Sequence, residues 1–395
     1  MRIRSLVLTA VVVAVGVAVL AHPGHTPIAP PTPHFLASQG TIAFDLFRGS
    51  RIFSVGKING TITELMIDSG AGATTVDQAF AKKLGLPQGE VIDIRGASGA
   101  QRARLVKGVT VDFGPLHLTD MTVLVTDLAP VAQAMGRPLP LILGSELFRN
   151  SAVTIDFSRQ RIRVTRPDMF RPDATAQRNP VASGHSVPSI KLSINGLPPV
   201  DADIDLGNSG ALLLSHPYWS GQPSLSSLRS AQTMAGGVGG LLPARKVTVP
   251  MVNLGGVRLI HVPAVFNESD SALPSTGANL GIELLKSFIV TFDLTHSAFY
   301  LQPNPARQPF ARDRTGILPQ LVGNQLEILY VSPNSPSARA GLVKGDRIVG
   351  IGTTKIGPDF YRGQSGNWNL QAPGTRTIVT LADGRKLTIT LADYY

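Results

Sequence analysis

Cysteine is absent from all 395 residues. That excludes disulfide scaffolds, cysteine-bound zinc, iron–sulfur clusters and a thiol nucleophile. Charge is scarce as well: Asp, Glu, Lys and Arg make up 16% of the chain, against about 25% in average usage, which argues against long solvated helices and coiled coils. The formal net charge is +10, yet no block of five or six like charges occurs and no basic–aromatic interleaving, so nucleic acid is set aside as a partner. Arginines recur at Arg159, Arg161, Arg163, Arg166, Arg171 and Arg178; they read as a solvated strand edge and linker. There is no His-Glu-x-x-His and no Gly-x-Ser-x-Gly, and the glycine run at Gly236–Gly240 is not followed by Lys-Ser/Thr. Zincin, serine-hydrolase and P-loop chemistry therefore have no sequence support. The histidines His117, His185, His216, His261 and His296 are scattered without ligand spacing, and no metal site is expected.

What the chain does have is 40 glycines, 30 prolines and 43% hydrophobic residues. That is enough apolar material for real cores, punctuated as a turn-rich β protein is. At the N-terminus Arg2 and Arg4 precede an uncharged run from Ser5 to Ala21. A positive start, an apolar stretch and small residues at Val19 and Ala21 have the form of an export signal over 1–21, cleaved or kept as an anchor. The expected location is the periplasm, free or membrane-anchored. Residues 22–39 form a Pro-rich, stiff spacer.

The middle of the chain is duplicated. Leu65-Met66-Ile67-Asp68-Ser69-Gly70-Ala71 is echoed by Ala202-Asp203-Ile204-Asp205-Leu206-Gly207-Asn208, and Ile142-Leu143-Gly144-Ser145-Glu146-Leu147 by Asn279-Leu280-Gly281-Ile282-Glu283-Leu284. Val153-Thr154-Ile155-Asp156-Phe157 matches Val290-Thr291-Phe292-Asp293-Leu294 in the same register. Upstream, Ile58-Asn59-Gly60 matches Ile194-Asn195-Gly196 one residue out of register. Matched blocks in one order point to two copies of one unit, over 40–165 and 186–303, joined by a polar linker at 166–185. Each copy reads as short strands between turn signals, with brief helices at Asp77–Leu84 and Ser145–Asn150.

Asp68 and Asp205 each end an apolar run, and a glycine follows two residues later. An acid in that place sits at a core edge, where desolvation raises the cost of ionising it. If the copies pack about a pseudo-twofold axis, the two carboxyls face each other and share one proton. One then serves as base towards a water while the other, protonated, donates to a substrate carbonyl. Carboxylates and water suffice, so no cofactor is needed.

These residues carry a resemblance. Asp68-Ser69-Gly70-Ala71 and Asp205-x-Gly207 resemble the Asp-Thr/Ser-Gly signatures of aspartic proteases, and Ile142-Leu143-Gly144 is similar to that family's hydrophobic-hydrophobic-Gly element. The resemblance spans about residues 40–303. It implies an all-β fold of two tandem acid-protease lobes, more like fused retropepsin units than large pepsins. It also implies Asp68 and Asp205 as the catalytic pair, with Ser69, Gly70 and Gly207 supporting it. The family's flap would fall between Val91 and Val111, with Gly96-Ala97-Ser98-Gly99 at its tip and the Gly236–Gly240 run in a comparable place. No Tyr lies between Asp68 and Gly144, so a pepsin-type flap tyrosine is missing. Two departures fall in the second copy. Leu206 replaces the Thr or Ser whose hydroxyl ties the loops together, and Asn279 replaces an apolar residue of the threading element. They leave open an asymmetric or weakly active site.

After a linker at 304–315, residues 316–395 hold Ser335-Pro336-Ser337-Ala338-Arg339-Ala340-Gly341-Leu342-Val343-Lys344-Gly345-Asp346-Arg347-Ile348. Ser335-Pro336 suits a helix start, Gly341 a left-handed helix end and Gly345-Asp346 a turn into a strand. The stretch resembles a PDZ domain. That implies capture of an extended peptide, often a C-terminus, along a strand near Gln325–Val331 with Gly316-Ile317-Leu318 as the carboxylate loop. The segment Gly357–Leu370, where a groove helix should lie, is rich in Gly and Asn, and a structural role stands beside capture. The expectation is an exported, monomeric aspartic endopeptidase acting on peptide or protein substrates. The alternative is a catalytically silent peptide-binding protein of the same fold.

Overall fold

Aliphatic and β-branched runs cut by Asn-Gly and Gly-rich turns build the strands. In the computed structural model, which describes residues 13–14, 18–19, 30–96, 99–182, 187–237, 240–269 and 276–395, these strands form four sheets. The export-signal and spacer expectations fall largely outside the described residues. Strands Arg51–Ile58 and Thr61–Ile67 meet at Asn59-Gly60, whose φ values of 45° and 76° are both left-handed, as a two-residue hairpin turn requires. Thr61–Ile67 then pairs in parallel with Leu141–Leu143, which is antiparallel to Thr75–Asp77; the latter runs parallel to Leu116–Thr126. The second half repeats this order with Val200–Ile204, Ala278–Leu280, Leu212–Leu214 and Val257–Asn267. In both halves the short middle strand is fully buried and apolar but for Asn279.

A third sheet joins the halves. Ala152–Asp156 pairs antiparallel with Phe288–Asp293, with Val153 opposite Phe292 and Ile155 opposite Val290. At its centre the Thr154 and Thr291 hydroxyls, which occupy equivalent places in the two copies, lie 2.9 Å apart. Val153 thus faces the counterpart of Ile155, Ile155 the counterpart of Val153, and Thr154 its own counterpart, the pairing a local twofold axis gives. Arg161–Thr165 lies between Gln39–Ala43 and Ala152–Asp156 in this sheet, so Arg161 and Arg163 are not on a strand edge as the sequence suggested. The linker, too, contains a strand: Gln177–Pro180 pairs with Ala298–Pro303. Polar side chains hid it, because a sheet rim needs no apolar face.

Helix Gln78–Lys83 starts at Asp77, whose carboxylate accepts from the Ala79 and Phe80 N–H groups. Ser145–Asn150 forms the second brief helix. A third, Ala129–Met135, has Pro130 in its first turn and ends on Gly136 at φ 75°. Among the described residues no helix is long and apolar enough to cross a membrane.

Residues 317–390 form the fourth sheet, in the order Ile317–Val322, Gln325–Val331, Arg347–Ile351, Arg376–Leu381, Lys386–Thr390. Ser335 caps helix Pro336–Arg339 by accepting the Ala338 N–H at 3.2 Å. Gln325–Val331, expected as the groove strand, pairs along its length with Ile317–Val322 and on its other side with Arg347–Ile351 at Leu326 and Glu327 alone; Ile317–Val322 lies at one edge of the sheet and packs against helix Ala129–Met135 of the first half. Gly357–Leu370 makes 3-10 turns over Phe360–Arg362 and Gln364–Leu370 in place of an α-helix, consistent with its Gly and Asn content. This unit is not loosely tethered. Ile317, Leu321 and Tyr361 share a core with Phe47, Met66 and Met135. The Arg48 guanidinium stacks 3.6 Å over the Tyr361 ring, and Lys246 pairs with the buried Asp313 at 2.6 Å.

Candidate active site

Asp68 and Asp205 are positioned by backbone ladders that run to the end of the buried strands. The Asp68 N–H donates to Leu143 O at 3.1 Å, and the Asp205 N–H to Leu280 O at 2.9 Å. The strands that carry those carbonyls then pass directly beneath the acid loops. A Cβ on Gly144 would lie 2.8 Å from Ala71 O, and one on Gly281 would lie 2.7 Å from Asn208 O. Only glycine allows that approach, which is why two apolar residues and a glycine recur in each copy.

The structure brings the two acids together. Asp68 and Asp205 are 0% and 1% exposed, and they lie close enough for the Asp205 charge to act on Asp68. Each also lies against the glycine of the opposite loop: a Cβ on Gly70 would sit 2.6 Å from Asp205 Cγ, and one on Gly207 would sit 2.6 Å from Asp68 Cγ. Gly70 and Gly207 additionally donate their N–H groups to Asp68 Oδ1 and Asp205 Oδ1, both at 2.8 Å. Ser69 spans the two halves. Its hydroxyl donates to Ile204 O at 2.7 Å and accepts the Leu206 N–H at 3.1 Å. Leu206 itself has no hydroxyl to reciprocate, but its side chain is buried in the core. Ser69 is thus satisfied in both directions from one side.

The second departure has a positive role. Asn279 donates through Nδ2 to Asp205 Oδ2 at 2.9 Å, and its own Oδ1 accepts from Asn208 Nδ2 at 2.7 Å. Asp205 Oδ1 takes the Gly207 and Asn208 N–H groups besides. Asp68 Oδ2, by contrast, is buried and meets no donor among the described residues. Burial raises both acids, and for Asp68 the neighbouring Asp205 charge raises it further, well above the ordinary carboxylate range. For Asp205 the Asn279 side chain and the backbone donors pull the other way. The donors thus favour the charged form more at Asp205 than at Asp68.

Sequence reasoning missed two residues. Asn279 stood where an apolar residue was expected and was read as a lapse. Glu146, on the helix after the first threading strand, is buried and accepts the Thr74 N–H at 2.9 Å and its hydroxyl at 2.8 Å, fixing the first acid loop from below. A buried acid is costly unless paired in this way; its charge in an otherwise apolar block was the available signal. The corresponding Glu283 instead pairs with Lys286 at 2.6 Å.

The flap expectation is placed in part. Glu90–Gly96 and Gly99–Phe113 form a long hairpin with Gly96 opposite Gly99, and Ala97 and Ser98 lie outside the described residues. Ser230–Gly237 and Gly240–Leu254 form its counterpart, Gly237 facing Gly240. Both hairpins take up a further strand on their outer edges. Val13–Ala14 pairs in parallel with Gly236–Gly237, and Ala18–Val19 pairs antiparallel with Ile94 and Arg95. Six residues of chain bridge at most about 20 Å, so both hairpin edges lie within reach of one short extended segment.

No curated protein matches this chain. Residues 55–147, which hold Asp68 and the threading strand beneath it, match the family model described as aspartyl protease.

Proposed function

We propose that this protein is an exported, two-lobed aspartic endopeptidase, with Asp205 as base and Asp68 as acid. The observation that carries the reading is the buried pair Asp68 and Asp205, one from each copy of the repeat, each carboxyl lying against the glycine of the opposite loop, with a different donor set on each. Asp205 takes a proton from a water held between the carboxyls while that water's oxygen bonds to the substrate carbonyl carbon. Asp68 gives its proton to the carbonyl oxygen. The gem-diol intermediate collapses as the C–N bond breaks: the amine nitrogen takes the proton held by Asp205, and one diol hydroxyl returns its proton to Asp68, restoring the starting pair. The substrate is an extended peptide whose backbone adds to the edges of the two hairpins, as the chain's own segments at Val13–Ala14 and Ala18–Val19 do.

Residues 316–395 are proposed to be a PDZ-like domain. Its edge strand Ile317–Val322 lies against helix Ala129–Met135, which favours a supporting role over open capture of peptides. Incubating wild type, Asp68→Asn and Asp205→Asn with a mixed peptide library, read by mass spectrometry, tests the proposal. Each substitution should lower cleavage by about 10²–10⁴-fold, the usual worth of a positioned acid or base. Cleavage that both substitutions leave unchanged rejects the dyad; binding with no cleavage by wild type replaces it with the silent-binder reading.

A further inference from the structure

We infer that a cavity at the junction of both halves and the third unit is a subsite for a carboxylate carried by the peptide substrate; the substrate part of this rests on the peptidase reading above. The cavity, of about 200 Å³, is lined by Arg48 and Arg51 from the first half and by Ser209 and Leu212, which follow the Asp205 loop. Lys246 from the second half and Tyr395 complete it. It therefore begins four residues past Asp205, on the side where Arg51 Nη2 reaches across to Ser209 Oγ at 3.3 Å.

Its cations are unequally matched. Lys246 is matched by Asp313, and Glu283 by Lys286. Neither arginine has a carboxylate at ion-pair distance among the described residues. Arg51 is 5% exposed, and its Nε has no hydrogen-bond partner. Arg48 lies close enough to add its charge to the cost of burial, and together they push Arg51 down to about 9. Arg48 stacks on Tyr361, which holds its guanidinium in place without neutralising it. A buried cation without a counter-charge is expensive unless something supplies one. Two guanidinium groups lining one cavity, with planar donor forks, fit a carboxylate better than any neutral group. In a peptide that carboxylate is either an Asp or Glu side chain or the C-terminus.

Calorimetry on the full chain carrying Asp68→Asn tests this with blocked five-residue alanine peptides bearing one glutamate side chain, one free C-terminal carboxylate, or one glutamine. At least one carboxylate peptide should bind about tenfold more tightly than the glutamine peptide, as a charge-assisted hydrogen bond commands; which one identifies the source of the carboxylate. Arg48→Met, at a half-buried position, should erase that preference, and Arg51→Met should do the same if it folds. Equal affinity for all three peptides overturns the inference. So does a preference that survives Arg48→Met, or sulfate competing as strongly as the carboxylate peptide. Because the dyad is disabled throughout, failure of the peptidase reading leaves this result interpretable.

Discussion

Replacing Asn279 by Leu puts into the second threading strand the kind of residue its counterpart Ile142 already supplies. It also removes the one side chain that donates to Asp205 Oδ2. A hydrogen bond to a charged group is worth about 1.5–3 kcal/mol. At 1.36 kcal/mol per pKa unit, losing it raises the first ionisation of the dyad by about 1–2 units. The sign follows from which form the donor stabilises: the amide favours the charged carboxylate, so its loss favours the protonated one. If Asp205 must be ionised to take a proton from water, the acid limb of the kcat/KM–pH profile moves upward by that amount. The same substitution strips Asn208 Nδ2 of its acceptor, at a further cost of about 1–3 kcal/mol in stability. Asn208→Ala in the same chain removes that stranded donor but also the acceptor of the Gly210 N–H, so the double variant is read against Asn208→Ala alone, which separates the two effects. The assay is kcat/KM on a fluorogenic peptide between pH 3 and 8, with thermal melts alongside. An acid limb that stays in place while stability falls would refute the assignment of the charge to Asp205 through Asn279.

The remaining predictions concern the ground on which the pair stands. Gly70→Ala or Gly207→Ala drives a methyl into the opposing carboxyl, 2.6 Å from its Cγ, and should cut kcat by about 10²-fold, as a misplacement near 1 Å does; activity within a few-fold of wild type would show that the loops are free to part. Ser69→Ala leaves Ile204 O and the Leu206 N–H without their partner, and should lower stability by about 1–3 kcal/mol per orphaned group, while Ser69→Thr restores it; equal melting of all three proteins would exclude a tie between the halves. Asp203, buried two residues before Asp205, is raised to about 7 chiefly by burial, with the Thr276 hydroxyl opposing and the Asp205 and Asp201 charges adding. A raised acid destabilises the fold as it ionises, so this cost is absent below about pH 4, grows as pH rises and is complete above 7, reaching a few kcal/mol. Asp203→Asn should accordingly raise Tm at pH 8 and leave it unchanged at pH 4; a gain of the same size at both values would trace the effect to packing.

How much of this could be read from the chain depends on what a sequence pattern records. Asp68 and Asp205 were legible because each ends an apolar run and each has its glycine and threading strand at the same distance, a regularity that survives without knowledge of contacts. The turn at Asn59-Gly60 was legible because its residues meet a backbone requirement that few others can. Asn279 was misread for the opposite reason. Periodicity assigns a position to the core, and a polar residue there counts as an error until the group it bonds, 74 positions earlier in the chain, is in view. The docking of residues 316–395 was illegible too. The contact of Arg48 with Tyr361 and that of Lys246 with Asp313 are single side chains placed by the tertiary fold, and no local spacing announces them. Gln325–Val331 was recognisable as a strand, but whether a strand lies at an edge is decided by its neighbours.

The asymmetry between the copies follows from the same point. A duplicated unit begins with two equal carboxyls, and two equal buried acids have no reason to place one shared proton on a particular side. The departures at Leu206 and Asn279 supply that reason. Ser69 alone satisfies the crossing between the loops, which frees position 206 to be an apolar core residue. Asn279 gives Asp205 an additional donor that Asp68 lacks. On the proposed mechanism the residues that break the repeat are thus the ones that separate base from acid. Their removal should therefore change the pH dependence before it changes the fold.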